Sequence, residues 1–165
     1  MILKPYFRAT LGQQVTVKAS LTIASRVVSR HSEKLKNPRG SLTALSPFAE
    51  DLDNANLDSL GLTGVRIKTI VAVANTLAHL GLYLNPGEQR AYIRALTALP
   101  GIGDWTAQYV AMRGIKAKDA FPAGDLILRR ASTTLGQTLS EEQLHVLSMQ
   151  WSSYRAYAVI HLWRS

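Results

Sequence analysis

The stretch that decides the fold is LPGIGDWTAQYVAMRG, residues 99–114, in which two glycines flank one isoleucine directly after a proline. A run with helical spacing precedes this stretch and another follows it. Because glycine adopts positive φ and allows close backbone approach, Gly101 and Gly103 favour a very short reversal between two helices. Ile102 can then plug the core, while several N–H groups point outward where the second helix begins, near Asp104.

This turn has two interpretations. Free N–H groups at a helix N-terminus bind anions, and a phosphate held there is gripped without any base being read. A plain Schellman-type stop, followed by a tight helix connection, would have the same glycines. Since the two glycines alone favour the plain connection, the choice depends on the rest of the chain.

Composition narrows the possible partners. The 165 residues are 47% hydrophobic and 18% charged, which is a globular balance, and they suffice for one domain with a real core. Lys and Arg outnumber Asp and Glu by 19 to 11, a net charge of +8. Such an excess suits a polyanion, either nucleic acid or an anionic membrane surface.

Several site classes and compartments are excluded or made less favourable. The chain has no cysteine, which excludes disulfides, iron–sulfur clusters and thiolate zinc sites. No apolar run approaches the ~18 residues of a membrane span. The first ten residues, MILKPYFRAT, carry a proline and charges where a signal peptide is apolar. We therefore expect a soluble, intracellular protein.

The pattern along the chain is helical almost everywhere. Residues 65–78 follow one helix face, residues 85–88 have the cap and proline of a helix start, and Ser140 to Gln143 has the capping-box spacing. The polar segment 31–41 contains Asn-Pro and Arg-Gly breakers and is interpreted as a loop, and no alternating strand run is evident. The sequence predicts one all-α domain. The apolar residues on the predicted face of residues 65–78 are Val65, Ile67, Ile70, Val71, Ala74, Leu77 and Ala78. The apolar residues of the last predicted helix are Val159, Ile160, Leu162 and Trp163.

A weak internal repeat relates residues 99–113 to an earlier segment of the chain. Residues 60–74 and 99–113 both run from a leucine through a glycine-bracketed turn into an amphipathic helix. Two copies are too few for a solenoid. They suggest two helix–hairpin–helix units.

Four segments of the chain, in order, resemble one family. They are residues 7–20 (FRATLGQQVTVKAS), 99–114, 118–131 (KDAFPAGDLILRRA) and 151–163 (WSSYRAYAVIHLW). They are similar to the helix–hairpin–helix (HhH-GPD) DNA glycosylases, most closely the AlkA-like 3-methyladenine DNA glycosylases. The resemblance implies a two-lobed all-α fold, with residues 1–165 as a single domain that lacks the N-terminal β-rich domain of larger relatives. It also implies a monofunctional enzyme of base excision repair that hydrolyses the N-glycosidic bond of alkylated purines, such as 3-methyladenine and 7-methylguanine, in duplex DNA.

The resemblance implies that Asp125, in FPAGDL, carries the chemistry. A carboxylate facing the deoxyribose stabilises the oxocarbenium-like charge of glycosidic cleavage and can orient the attacking water. The same position also suits a simple helix N-cap, and both roles are compatible.

Three aromatic residues match family positions that line the pocket for a flipped base: Trp105, Tyr109 and Trp163. Electron-rich rings attract a cationic base, although core packing is the usual fate of helical aromatics. Relatives that also cut the strand place a lysine where this chain has Trp105. We therefore expect base release without AP lyase activity.

The remaining implied contacts involve the hairpin and residues 11–15, LGQQV. In this segment Gln14, with Gln13 beside it, matches the wedge residue that fills the space left in the duplex by the flipped nucleotide. A polar helix end at Gly12 is the alternative. A carboxylate at Asp104 would repel a nearby phosphate. A rim of basic residues could offset this repulsion, although the same residues could also simply form a solvated face. The implied DNA contacts are Gln13, Gln14, Gly101, Ile102, Gly103 and Thr106, and the rim residues are Arg113, Lys116, Lys118, Arg129 and Arg130.

No cofactor is expected to be required. The family hairpin often binds a monovalent cation, Na⁺ or K⁺, through backbone carbonyls, which by position are those of Thr97, Leu99 and Ile102. The histidines are scattered without paired ligand spacing: His31, His79, His145 and His161.

The expected partner is double-stranded DNA that contains damaged bases. We expect a cytoplasmic monomer that is associated with the nucleoid through DNA and does not bind a membrane. Two alternatives stay open. One is a non-catalytic or weakly active helix–hairpin–helix DNA-binding module, which needs the basic surface but not Asp125. The other is an enzyme for a different base, such as hypoxanthine or a mispaired pyrimidine.

Overall fold

The computed structural model describes residues 6, 9, 10, 16–79, 88–133 and 137–164. The chain divides into two compact units. The first comprises Met1–Tyr83 with Ala98–Ile102, and the second comprises Leu84–Thr97 with Gly103–Ser165.

The first unit contains α1 (Val17–His31), β1 (Lys34–Arg39), β2 (Leu42–Ala44), α2 (Ala49–Leu52) and α3 (Gly64–His79). Helix α1 begins where the Thr16 hydroxyl accepts the Ala19 N–H at 3.2 Å, which satisfies one of the unpaired donors of the first turn. Helix α2 packs against α3. Fully burying a leucine or valine stabilises the fold by roughly 1.5–3 kcal/mol. The core of this unit includes Val27, Leu52, Leu57, Ile70 and Val73.

The helix predicted from the spacing of residues 65–78 is confirmed as α3, with one exception on its apolar face. Ile70, Ala74 and Leu77 are buried, as is Val73. Val65 is 72% exposed, because at 100° per residue it lies about a third of a turn away from the buried line.

The loop predicted for residues 31–41 is wrong, because the chain forms an antiparallel hairpin there. Lys34 pairs with Ala44 and Arg39 with Leu42, and the turn between the strands begins at Gly40, which has φ of +57°. Nearly every residue of β1 is exposed, so the strand lacks the apolar alternation that identifies strands in a sequence. Pro38 is tolerated because both strands of a two-stranded sheet are edge strands.

The second helix–hairpin–helix unit suggested by residues 60–74 is not found. Helix α2 ends at Leu52 and residues 53–63 separate it from α3, so no short hairpin joins the two helices. Gly61 has φ of +89°, and the Arg26 guanidinium approaches this segment to donate to the Leu60 carbonyl at 3.2 Å. Gly61 therefore serves a loop that contacts α1, whereas Gly64 is the first residue of α3.

The second unit contains α4 (Gln89–Thr97), α5 (Asp104–Gly114), α6 (Leu126–Ala131), α7 (Glu141–Ser148) and α8 (Arg155–Leu162), with a 3₁₀ turn at Met149–Trp151. Helix α4 packs against α5, and α6 contacts α8. Residues 85–87 of the predicted helix start lie outside the described residues. The core of this unit includes Leu96, Val110, Leu128, Leu144 and Val159.

The capping box predicted at the start of α7 is confirmed. The Ser140 hydroxyl accepts the Gln143 N–H at 3.1 Å, and the Gln143 side chain accepts the Ser140 N–H at 2.8 Å. The reciprocal pair satisfies two donors that the helix leaves unpaired. Helix α7 is therefore specified locally, by four consecutive residues.

Candidate active site

Asp125 caps helix α6. Its Oδ1 accepts the Leu128 N–H at 2.9 Å, and its own N–H donates to the Pro122 carbonyl at 2.9 Å. The N-cap interpretation of this residue is thus confirmed. The side chain is only half-buried, so capping leaves part of the carboxylate accessible for chemistry.

Two tryptophan side chains contact this carboxylate, and a tyrosine ring packs against both of them. The Trp105 indole Nε1 donates to Asp125 Oδ2 at 2.9 Å, and the Trp163 Nε1 donates to Oδ1 at 3.4 Å. The Tyr109 ring stacks on Trp105, with centroids 5.4 Å apart and planes 18° apart. It also meets Trp163 at 6.1 Å and 47°. The structure therefore brings together the four side chains assigned to the site from the sequence.

The positions of these rings follow from the helices that carry them. Trp105 and Tyr109 are one turn apart on α5, so they project from one face of that helix. Trp163 follows directly after α8. All three are half-buried, so the rings do not form a closed core, as aromatic residues on a purely structural helix face would.

A charged clamp fixes the loop that leads from α5 to Asp125. Arg155, the first residue of α8, donates Nε to Asp119 Oδ1 at 2.8 Å and Nη2 to Oδ2 at 2.7 Å. This bidentate hydrogen bond from Arg155 lowers the pKa of the Asp119 carboxyl. The clamp ties the loop to the helix that carries Trp163. Sequence analysis missed it, because the two residues are separated by 36 positions and no local pattern links them.

Gln108 provides a second tie to the same loop. Its Oε1 accepts the Phe121 N–H at 3.1 Å, and its Nε2 donates to Asp104 Oδ1 at 3.2 Å. Gln108 was also missed by sequence analysis, since a polar residue on a helix is usually solvated. It holds the loop against the face of α5 next to that of Trp105.

The two glycines of the opening stretch have different roles. Gly101 has φ of +79°, and a Cβ there would overlap the Thr69 hydroxyl oxygen. Gly103 has φ of −85° and ψ of 173°, and a Cβ there would meet nothing within 4 Å. Only Gly101 therefore uses a positive φ in the short reversal, and Gly103 is the N-cap of α5 without a side-chain cap.

Ile102 is buried, with 5% of its surface exposed, which confirms that it plugs the core between the two glycines. Its N–H donates to the Leu99 carbonyl at 3.1 Å and closes the turn. Gly101 and Gly103 are exposed. Only 1% of Thr106 is exposed, and its DNA contact stays a prediction.

The other DNA-binding predictions fall in two groups. Gln13 and Gln14 lie outside the described residues. The basic rim keeps its exposed cations except for Arg129, which is half-buried and donates Nε to the Leu139 carbonyl at 2.7 Å. The exposed rim residues are Arg113, Lys116, Lys118 and Arg130.

No group of three His, Asp or Glu residues that could hold a metal ion occurs within the described parts of the chain. His31 Nε2 lies 3.1 Å from the Asn56 carbonyl oxygen, whereas His145 and His161 are exposed. The side chain of His79 lies outside the described residues. None of the helices described is long and apolar enough to cross a bilayer.

Hydrogen bonds are described for the residues that were predicted to hold a cation. The Leu99 carbonyl already accepts one N–H, which uses one of the two lone pairs of its oxygen. The Thr97 hydroxyl donates to the Ile93 carbonyl at 3.1 Å and to the Arg94 carbonyl at 3.0 Å. The cation site at the backbone carbonyls of Thr97, Leu99 and Ile102 stays a prediction.

No family model matches the sequence. The chain is 41% identical over 157 residues to a probable bifunctional transcriptional activator/DNA repair enzyme AlkA from Mycobacterium tuberculosis, covering 94% of this chain and 32% of that protein. It is 29% identical over 158 residues to DNA-3-methyladenine glycosylase 2 of Escherichia coli, covering 94% and 55%. The chain thus spans about a third to just over half of the length of these relatives.

Solved structures share the fold. A 3-methyladenine DNA glycosylase from Archaeoglobus fulgidus superposes with a TM-score of 0.79 at 24% identity, covering 97% of this chain and 56% of that one. The 3-methyladenine DNA glycosylase Mag1 of Schizosaccharomyces pombe, solved with abasic DNA, gives 0.77 at 22% identity, covering 98% and 78%. Sequence relatives and the shared fold together support a place for this chain in the AlkA-like branch of the helix–hairpin–helix DNA glycosylases.

Proposed function

We propose that this chain is a monofunctional DNA glycosylase that hydrolyses the N-glycosidic bond of alkylated purines, 3-methyladenine or 7-methylguanine, in duplex DNA, as a step of base excision repair. One observation carries the proposal. The half-buried Asp125 carboxylate lies among three aromatic rings, two of which donate hydrogen bonds to it. The E. coli relative is named DNA-3-methyladenine glycosylase 2, which supports the 3-methyladenine part of the proposal.

The chemistry needs one carboxylate. As the bond between C1′ and the ring nitrogen breaks, its electron pair stays with the base, so an alkylated, cationic base leaves as a neutral molecule. Positive charge then develops on the deoxyribose, where the Asp125 carboxylate stabilises it. A water oxygen bonds to C1′, and Asp125 orients that water and passes its proton to solvent.

The rings supply recognition of the base. A base has to leave the duplex stack before a side chain can reach its sugar. A cationic purine is attracted to the faces of Trp105, Tyr109 and Trp163 by about 0.5–2 kcal/mol for each cation–π contact. An undamaged, neutral purine lacks this attraction, so the rings favour alkylated bases.

Several features of the chain support the rest of the proposal. Trp105 has no nucleophilic atom with which to form a Schiff base, so the abasic strand stays intact. The net charge of +8 and the backbone N–H groups at the start of α5 suit the phosphates of a duplex. The protein acts as a monomer without a required cofactor, and the backbone carbonyls of Thr97, Leu99 and Ile102 would hold a monovalent cation at the hairpin.

The test is incubation with randomly methylated duplex DNA, followed by identification of the free bases and of strand breaks. We expect release of 3-methyladenine and 7-methylguanine, with abasic sites that break only on alkali treatment. Asp125→Asn should lower the rate about 10²- to 10⁴-fold, although asparagine is an equally good N-cap. The control is Asp58→Asn, which removes an exposed carboxylate of the first unit and should leave the rate unchanged.

Two results would contradict the proposal. Wild-type rates in Asp125→Asn would remove the catalytic assignment. Salt-dependent duplex binding without release of any base from a panel of lesions would instead identify a non-catalytic DNA-binding module.

A further inference from the structure

We propose that Trp105 is a positioning residue for the reaction. Its indole N–H fixes the direction of the Asp125 carboxylate, so that Oδ2 is the oxygen that faces the sugar and orients the attacking water. The inference rests on the proposed function and assigns the Trp105 N–H a task separate from that of the Trp105 ring face.

The hydrogen bonds on the carboxylate distinguish its two oxygens. An ionised carboxylate offers about four acceptor positions, two on each oxygen. Oδ1 accepts from the Leu128 N–H at 2.9 Å and from Trp163 Nε1 at 3.4 Å. Among the residues that the structure describes, Oδ2 accepts only from Trp105, at 2.9 Å. Oδ2 therefore keeps an acceptor position for a water molecule, whereas the two positions of Oδ1 are engaged.

The two indole contacts differ in strength. The Trp105 bond has the most common length for an N–H···O bond, whereas the Trp163 bond lies beyond the usual range of about 2.7–3.2 Å. Together, the backbone bond to Oδ1 and the Trp105 bond to Oδ2 fix both ends of the carboxyl plane. The carboxyl group can rotate only if one of these two bonds breaks.

Tyr109 in turn fixes the indole. Its near-parallel ring lies over one side of Trp105 with a centroid distance of 5.4 Å, from a position one helical turn away. The plane of the indole, and with it the direction of the N–H, is therefore set by packing on α5. A base can meet Trp105 only on the face that Tyr109 leaves open, so stacking and hydrogen bonding use different parts of the same side chain.

The experiment replaces Trp105 with β-(3-benzothienyl)alanine, which keeps a bicyclic aromatic ring of the same shape but has sulfur in place of the N–H. Methylated duplex DNA is the substrate, and duplex DNA with an abasic site is the binding probe. We expect kcat to fall about 10- to 100-fold, the usual effect of losing a hydrogen bond to a charged group. KM and the affinity for abasic DNA should change less than about twofold, since the ring face remains.

Two matched substitutions serve as controls. The same analogue at Trp163 should lower kcat much less, because its contact with Oδ1 is long. At Trp151, which pairs with Phe121 at a centroid distance of 6.3 Å and does not contact Asp125, the analogue should change nothing. In an Asp125→Asn background, the Trp105 analogue should cause no further loss, because the N–H acts through the carboxylate.

The outcomes separate this inference from the proposed function. If Asp125→Asn is inactive while the Trp105 analogue keeps full kcat, or changes only KM, the positioning role is wrong and the catalytic carboxylate stands. If Asp125→Asn keeps wild-type activity, the proposed mechanism itself fails. A loss of kcat that occurs equally with the Trp151 analogue would show a general effect of the amino acid and would overturn the inference.

Discussion

Replacement of Gly101 by alanine should destabilise the protein for two separable reasons. The first is backbone strain, because Gly101 has φ of +79°, a region that other L-residues occupy at a cost of roughly 1–2 kcal/mol. The second is crowding. The new Cβ would overlap the Thr69 hydroxyl oxygen and lie 3.1 Å from Thr69 Cβ and 3.2 Å from Cγ2. The Thr69 side chain is buried, and its hydroxyl donates to the Val65 carbonyl at 3.1 Å, so it cannot move away freely.

The magnitude follows from adding the two effects. Overpacking of a buried site costs typically about 1–3 kcal/mol, so the total loss of unfolding free energy should be about 2–5 kcal/mol. For a chain of this length, that loss lowers Tm by about 4–20 °C, at about 2–4 °C for each kcal/mol.

The assay is thermal and urea unfolding of Gly101→Ala, Thr69→Ala and the double variant. Thr69→Ala removes the hydroxyl and Cγ2, so the double-mutant cycle should return a favourable coupling of about 1–3 kcal/mol, while the backbone strain persists. Gly64→Ala is the control in the same unit, since a Cβ at Gly64 meets nothing within 4 Å. An unfolding free energy of Gly101→Ala within about 0.5 kcal/mol of wild type, or a cycle without coupling, would refute the argument.

Two further predictions concern charge. Asp104→Asn removes an exposed carboxylate from the first turn of α5. The affinity for undamaged duplex DNA, measured by fluorescence anisotropy, should rise about two- to fivefold at low salt because the repulsion of a phosphate is removed. Equal affinities would show that no phosphate binds near Asp104. Asp119→Asn removes the Arg155 clamp. The pKa of Asp119 is lowered from its ordinary value of 3.8 by the hydrogen bond from Arg155. The clamp therefore stabilises the fold fully above pH 3.8, and this stabilisation is lost as pH falls through the lowered pKa. The Tm values of wild type and variant should therefore differ from pH 7 down to about pH 4, and should converge only as pH falls through the lowered pKa. A difference that stays constant with pH would contradict the clamp.

The sequence predicted the elements whose information is local. The spacing of residues 65–78 predicted α3, and Ser140 with Gln143 predicted the start of α7, because each depends on residues that are close together along the chain. The hairpin at residues 34–44 was missed because β1 is solvated along nearly its whole length and buries no periodic face. The polar composition that suggests a loop is equally compatible with such a strand.

The sequence indicates candidate residues for the site but not their geometry. Asp125, Trp105, Tyr109 and Trp163 were chosen from their positions in motifs, and the structure brings them together. The hydrogen bond from Trp105 to Asp125 joins positions 20 apart, and the clamp from Arg155 to Asp119 joins positions 36 apart. Such contacts depend on how α5, α6 and α8 pack, which no local pattern encodes.

The capping role of Asp125 restricts what evolution or a designer can place at this position. Asparagine would keep the bond to the Leu128 N–H but remove the negative charge that the chemistry needs. Glutamate would keep the charge, but its extra methylene carries the carboxylate past the 2.9 Å contact that begins α6. Among the twenty amino acids, aspartate alone combines an anion with the short arm of an N-cap. Under the proposed function, selection for a stable helix and selection for glycosidic cleavage would therefore act on the same atoms.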